Sequence, residues 1–242
     1  MLWVIEISKI FEKKTENTNK TEKIYKNVRI ILRLHAKQDK IYCIQENNRG
    51  YIMEKIYETA YAKINLGLDV LGKRSDGYHE VRMVMQSVGL SDAVEIEEGE
   101  GLVVETDHSG LAGGPDNLAW KAAELLARCC GKIPNVHIRL NKKIFLAAGL
   151  AGGSSDAAAV MRGLSRLWQL DLTAPELEKL AAELGSDIPF CITGGTALAE
   201  GRGEILTELP EAPELLLVLA KPKLEVATGW VCLLYTSPSP RD

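Results

Sequence analysis

Between Phe145 and Ala158 the chain reads Phe-Leu-Ala-Ala-Gly-Leu-Ala-Gly-Gly-Ser-Ser-Asp-Ala-Ala, and this stretch restricts the fold most tightly. Three glycines and a run of alanines strip the backbone of bulk, so it can approach another backbone or an anion closely. Before it, Val136, Ile138 and Leu140 alternate with His137 and Arg139 as in a strand. After it, Val160, Leu164, Leu167 and Trp168 recur at helical spacing. A small-residue turn between strand and helix exposes the unpaired N–H groups of the helix start, which suits it to a phosphate. Ser154 and Ser155 add hydroxyl donors or a magnesium contact. Tight packing of strand on helix would produce the same composition, and the residues alone leave both readings open. The string holds no Gly-Lys-Ser/Thr of a Walker A loop, no G-x-G-x-x-G and no G-x-S-x-G elbow.

The second strong signal is strict alternation from Ala60 to Val70. Ala60, Ala62, Ile64, Leu66, Leu68 and Val70 share one face, and Tyr61, Lys63, Asn65, Gly67 and Asp69 the other. This predicts a strand with Lys63 and Asn65 side by side on its non-core face. Arg74 to Gly77 reads as a turn, and further strands are expected over 81–88, 93–97, 102–106, 136–140, 196–200 and 215–220. Pro115-Asp-Asn117 opens a helix that Gly131 closes. Thr173-Ala-Pro-Glu176 is a capping box, starting a helix that buries Leu177, Leu180, Ala181 and Leu184 and stops at Gly185. Strands and helices mix without a regular βαβ repeat, so the expected class is α+β.

Composition is ordinary for a globular chain, 46% hydrophobic and 26% charged over 242 residues. No apolar run approaches the ~20 residues of a membrane-spanning helix. Five cysteines show no C-x-x-C pair, which predicts free thiols and no zinc site. Charge divides the chain unevenly: residues 1–52 hold 11 Lys/Arg against 6 Asp/Glu, and residues 53–242 hold 18 against 27. A basic arm for nucleic acid is one reading of the first segment. The preferred one is a translated upstream leader, because Arg49-Gly50 read as AGG-GGN would place a ribosome-binding sequence two codons before Met53. Cys232 to Asp242 matches, residue for residue, one frame of a transposase-adapter DNA and is expected to be foreign. Neither end is expected to contribute ordered packing, and the apolar strand at 215–220 is expected to lack a cover.

Three segments in order carry a family resemblance: Ala62-Lys63-Ile-Asn65-Leu with Arg74-Ser-Asp-Gly-Tyr78-His79, the glycine string, and Leu184-Gly-Ser-Asp187-Ile-Pro189. Together they resemble the GHMP kinases, over about Met53 to Val231, and the Asp-Gly-Tyr-His element resembles the branch acting on a CDP-linked methylerythritol. The resemblance implies the GHMP kinase fold, with a ribosomal protein S5 domain 2-like N-terminal domain over 53–210. Residues 211–231 would begin a C-terminal domain that is mostly missing. It implies transfer of the γ-phosphoryl of ATP to an erythritol hydroxyl, in the cytosol, in the non-mevalonate route to isoprenoid precursors. Asp187 would accept the hydroxyl proton and Lys63 would offset charge beside it. Leu146, Ala147, Ala148, Gly149, Leu150, Ala151, Gly152, Gly153, Ser154 and Ser155 would bind the ATP phosphates. Asn65 would touch the substrate, and Tyr78 and His79 would stack on and read its cytosine. Magnesium is expected with ATP, through ligands the sequence does not name. No nucleic acid or membrane partner is expected, and oligomeric state stays open. The rival readings are another GHMP kinase with a different alcohol, or an inactive nucleotide-binding fragment. Phe145 stands where the family has proline, Ala151 where glycine is common, and Cys232 where an aromatic is usual.

Overall fold

The alternation around Lys63 belongs to one of two very long strands. In the computed structural model, residues 3–6, 31–33, 41–46 and 52–221 are described. Their strands are β1 (Trp3–Glu6), β2 (Ile31–Arg33), β3 (Ile41–Glu46), β4 (Ile52–Lys73), β5 (His79–Glu98), β6 (Leu102–Thr106), β7 (Val136–Asn141), β8 (Thr196–Glu200), β9 (Ile205–Glu208) and β10 (Leu216–Ala220). The helices are α1 (Leu118–Cys130), α2 (Gly152–Leu167), α3 (Ala174–Ala181) and α4 (Ile188–Thr193). A seven-stranded sheet runs β3-β4-β5-β7-β6, with β8 also on β5 and β9 on β8. Every pairing in it is antiparallel except β6 with β7. This is the mixed class that the sequence predicts.

The two segments expected at 81–88 and 93–97 form a single strand, β5, which pairs with β4 nearly end to end. The turn joining them is built by its own side chains: the Tyr78 N–H donates to Asp76 at 3.1 Å, and the Arg74 N–H donates to the Tyr78 carbonyl at 2.8 Å. Gly77, at φ 87°, takes the left-handed backbone this turn needs. On its far edge β5 pairs with β8 through residues 83–86 and with β7 through residues 93–98. Between those two ladders, Val88 and Leu90 pack with Ile144 and with Leu150 of the glycine string.

Helix termini follow the residue chemistry. The Asn117 side chain accepts from the Ala119 N–H at 2.9 Å and caps α1, and Gly131 ends the helix at φ 63°. The Thr173 N–H donates to Glu176 at 2.8 Å, which closes the capping box of α3. Helix α2 lies so close to the sheet that a Cβ on Gly163 would stand 2.5 Å from Ile96 Cδ1. The main core joins Met85, Val94, Ile96 and Ile138 of the sheet to Leu126, Met161 and Leu164 of α1 and α2.

The alternation of β4 does not persist. Register shifts occur between Tyr61 and Lys63, Asn65 and Gly67, and Val70 and Gly72. Ala60 therefore packs in the main core, whereas Ala62 and Ile64 pack in a second cluster with Val88, Leu90, Ile144 and Leu150. Leu66, assigned by parity to the core face, is 44% exposed, and Lys63, assigned to the exposed face, is 5% exposed. A bulge re-aims side chains, which a parity argument cannot foresee.

The last strand also differs from expectation. Leu217 and Leu219 of β10 complete the second cluster instead of lying uncovered. Strands β1 and β2 pair antiparallel with the two edges of β10, and β3 pairs with β4. Trp3–Glu6, Ile31–Arg33 and Ile41–Glu46 thus supply backbone pairing where none was expected, since an open strand edge is a template for any extended segment. The expectation for 232–242 lies outside the described residues. No helix among the described residues is long and apolar enough to cross a membrane, and Cys129, Cys130 and Cys191 are free thiols.

Candidate active site

The three motif segments meet where β4, the glycine string and the start of α4 come together. Lys63 Nζ lies 3.5 Å from Asp187 Oδ2 and donates to Asn65 Oδ1 at 3.2 Å. The Lys63 backbone N–H donates to the Leu150 carbonyl at 3.1 Å, tying this strand to the glycine loop. The ammonium is almost fully enclosed, while the Asp187 side chain keeps 33% of its surface in solvent. A charged lysine is tolerated at such depth because it has both a carboxylate and an amide oxygen as partners.

Asp187 is fixed by its neighbours and not by capping. It occupies the N-cap position of α4 but accepts no cap hydrogen bond. Pro189 in the first turn has no N–H to offer. Ile188, Phe190 and Ile192 anchor the helix in the core. The carboxylate is thereby turned to Lys63, with solvent access left on its other side.

The glycine loop takes an unusual backbone path. Ala147, Gly149 and Ala151 adopt φ of 50°, 72° and 57°, a left-handed conformation that disfavours a residue with a Cβ. Ala151 therefore sits in a glycine-type conformation. Among the described residues the N–H groups of Gly149, Leu150 and Ala151 make no backbone hydrogen bond. Those of Gly152, Gly153 and Ser154 open α2 and lack intrahelical partners. A Cβ on Gly149 would meet nothing within 4 Å. The loop thus presents successive donors beside an unfilled space, as an anion-binding turn must.

Ser155 departs from its expected role. It is 1% exposed, its hydroxyl donates to the Tyr61 carbonyl at 2.7 Å, and its N–H makes the first helical bond to Ala151. Its polar groups are spent on joining α2 to β4. Ser154 is half-buried and stays near the donors. Beneath them, Cys191 Sγ lies 3.4 Å from Ser155 Oγ, and burial pushes its thiol up to about 12, which leaves it unreactive.

Tyr78 and His79 stand apart, at the β4–β5 turn. Tyr78 is 54% exposed, and no hydrogen bond or ion pair joins either residue to Lys63 or Asp187. Sequence reasoning misses Arg202, whose guanidinium sits 5.0 Å from the centre of the Tyr78 ring. The Gly201-Arg-Gly-Glu204 turn that presents it packs Gly203 against Met83 and close to Ser186. The pattern of two glycines flanking an arginine is the available signal. Also missed is a sealed ionic cluster: Lys142 Nζ donates to Asp92 and to Asp156. Asp92 Oδ1 in turn accepts the N–H groups of Lys143 and Ile144. Burial pushes the Asp156 carboxyl up to about 7, against the pull of Lys142.

Residues 117–195 match the family described as the GHMP kinases N terminal domain. The chain is 50% identical over 180 residues to a 4-diphosphocytidyl-2-C-methyl-D-erythritol kinase of Acetivibrio thermocellus, covering 74% of this chain and 64% of the relative. It is 53% identical over 173 residues to the kinase of the same name from Synechococcus sp. (strain JA-3-3Ab), covering 71% and 56%. A crystal structure of 4-(cytidine 5'-diphospho)-2C-methyl-D-erythritol kinase aligns at TM-score 0.56 and 39% identity, over 64% of this chain and 55% of the other. A mevalonate pyrophosphate decarboxylase from Streptococcus pyogenes, 14% identical at TM-score 0.51 over 64% of this chain and 51% of its own, shares the fold alone. The chain spans less than two thirds of the length of these relatives. Residues 117–195 are thus similar to the N-terminal domain of the GHMP kinases, and the described fold resembles that of a solved member.

Proposed function

We propose that this chain supplies the ATP-binding and catalytic groups of a kinase that phosphorylates a hydroxyl of 4-diphosphocytidyl-2-C-methyl-D-erythritol, in the cytosol. The observation that carries the reading is the 3.5 Å approach of Lys63 to a solvent-accessible Asp187, beside a loop of unpaired N–H groups. Phosphoryl transfer asks mainly for positioning and charge stabilisation. Loop donors from Gly149 to Ser154 hold the phosphates. Asp187 accepts the proton of the substrate hydroxyl as its oxygen bonds to the γ-phosphorus, and the bond from that phosphorus to the β–γ bridging oxygen breaks. Lys63 offsets charge at the attacking oxygen, and Asn65 orients its ammonium. Tyr78, backed by Arg202, offers its ring to the cytosine, and His79 reads the base edge.

Magnesium, when bound, neutralises phosphate charge. Among the described residues no group of three carboxylate, His or Cys side chains could hold an ion. Ser154, at the start of α2, would hold the ion together with phosphate oxygens and water.

The test is 31P NMR of ATP with the CDP-methylerythritol substrate, run on this chain and on a version continued with the C-terminal part of the Acetivibrio relative. A new phosphomonoester signal from the continued version is expected, with little from this chain alone. Mevalonate and homoserine serve as competing alcohols. Phosphorylation of either in preference, or of none, overturns the assignment.

A further inference from the structure

The sealed cluster joins the two ends of the glycine loop. Lys142 immediately follows β7, and its ammonium donates to Asp92 Oδ2 at 2.5 Å and to Asp156 Oδ2. Asp92 also takes the N–H of Ile144, at 2.8 Å, and that of Lys143. Lys142 to Ile144 lead into the loop, and Asp156 lies just past it on α2. Both ends are therefore fastened to Asp92, in the stretch of β5 between its β7 and β8 ladders. The three side chains are at most 2% exposed. Gly152 packs closely on the segment that leads into the loop, since a Cβ there would stand 3.0 Å from Ile144 Cγ2. Two carboxylates share one ammonium, and Asp156 Oδ1 has no partner. An apolar core would close this gap without burying charge.

The loop itself needs such a fastening. Two of its three left-handed residues are alanines, and relaxation of that backbone would re-aim the donors of Gly149 to Ala151. We infer that Lys142, Asp92 and Asp156 act as a clasp fixing the separation of the loop's ends, and that they are positioning residues for phosphate binding. This rests on the reading of the loop as a phosphate site.

The experiment measures the affinity of the folded chain for tripolyphosphate and for ATP by calorimetric titration, well below each variant's melting temperature. Lys142→Arg keeps the charge and changes the reach, and is expected to weaken both ligands about tenfold, since ångström-scale misplacement is costly. At about pH 8.5, above the value of about 7 to which Asp156 is raised, Asp156→Ala removes a negative charge beside the loop, which by charge alone should tighten binding. The clasp predicts the opposite, again about tenfold weaker. Asp156→Asn restores the acceptor and should recover affinity to within about threefold. If the alanine variant does not fold, Lys142→Arg decides. Unchanged affinity in Lys142→Arg, or tighter binding in Asp156→Ala, overturns the clasp while leaving the loop reading intact. Failure of the unmodified chain to bind tripolyphosphate or ATP removes the loop reading and the clasp with it.

Discussion

Two lysine–aspartate constellations lie on either side of the glycine loop, and they are built differently. Lys63 meets a single carboxylate at 3.5 Å, and that carboxylate keeps a third of its surface in water. Lys142 meets two carboxylates, all three groups shut away from solvent. Burial of charge without access does no chemistry on a substrate, whereas a fixed but reachable carboxylate can take a proton. Under the proposed function the same residue types serve reaction in one place and geometry in the other, and accessibility is what distinguishes the two sites.

The sharpest way to break this contrast is to disable each constellation and compare turnover with stability. Asp187→Asn in the continued enzyme should lower phosphoryl transfer by about 10²–10⁴-fold, the range for a lost general base. Its stability should fall by about 1–2 kcal/mol, because asparagine keeps an oxygen acceptor for the enclosed Lys63 and this side of the pair is open to water. Lys142→Met should act in the opposite sense, costing about 3–5 kcal/mol in urea unfolding by leaving two buried carboxylates unpaired. Equal stability losses in the two variants would erase the distinction.

A pH series sharpens it further. The Asp156 carboxyl is raised to about 7 when folded, from about 4 in an unfolded chain. The folded state then binds the proton more tightly, so this group's contribution is full below about pH 4 and is lost as pH rises to about 7. Asp156→Asn should remove that part of the slope and narrow its gap to the unmodified chain at low pH. An identical slope in both would show that Asp156 does not titrate there. The smallest effect is expected at the loop backbone. Ala151→Gly relieves a left-handed alanine worth about 1–2 kcal/mol, offset in part by glycine's entropy of about 0.5–1 kcal/mol. A small rise in melting temperature is the expected result.

Much of this architecture is legible in the amino-acid sequence. Turn and cap residues such as Gly77, Asn117, Gly131 and Thr173 act through local bonds, so their roles can be read from neighbours in the chain. The motif segments around Lys63, Gly149 and Asp187 are legible as a family resemblance. What escapes depends on distance or irregularity. Asp92 and Lys142 are 50 residues apart, and neither carries a local sign of the other. Parity assigns Lys63 to solvent because it ignores the register shift beside it. Residue type assigns Ser155 to phosphate, although the Tyr61 carbonyl claims its hydroxyl. The six-residue α4 and four-residue β9 are too short to show a period.

In the proposed function the loop's N–H groups, beside Lys63, receive phosphate. The most direct measurement is an amide 1H–15N titration of this chain with tripolyphosphate. The signals of Gly149, Leu150, Ala151, Gly152, Gly153 and Ser154 should move together along a single saturable curve, and those of Tyr78 and His79 should not move with them. Shifts confined to lysine-rich surface positions, with the Gly149 to Ser154 signals unmoved, would contradict it.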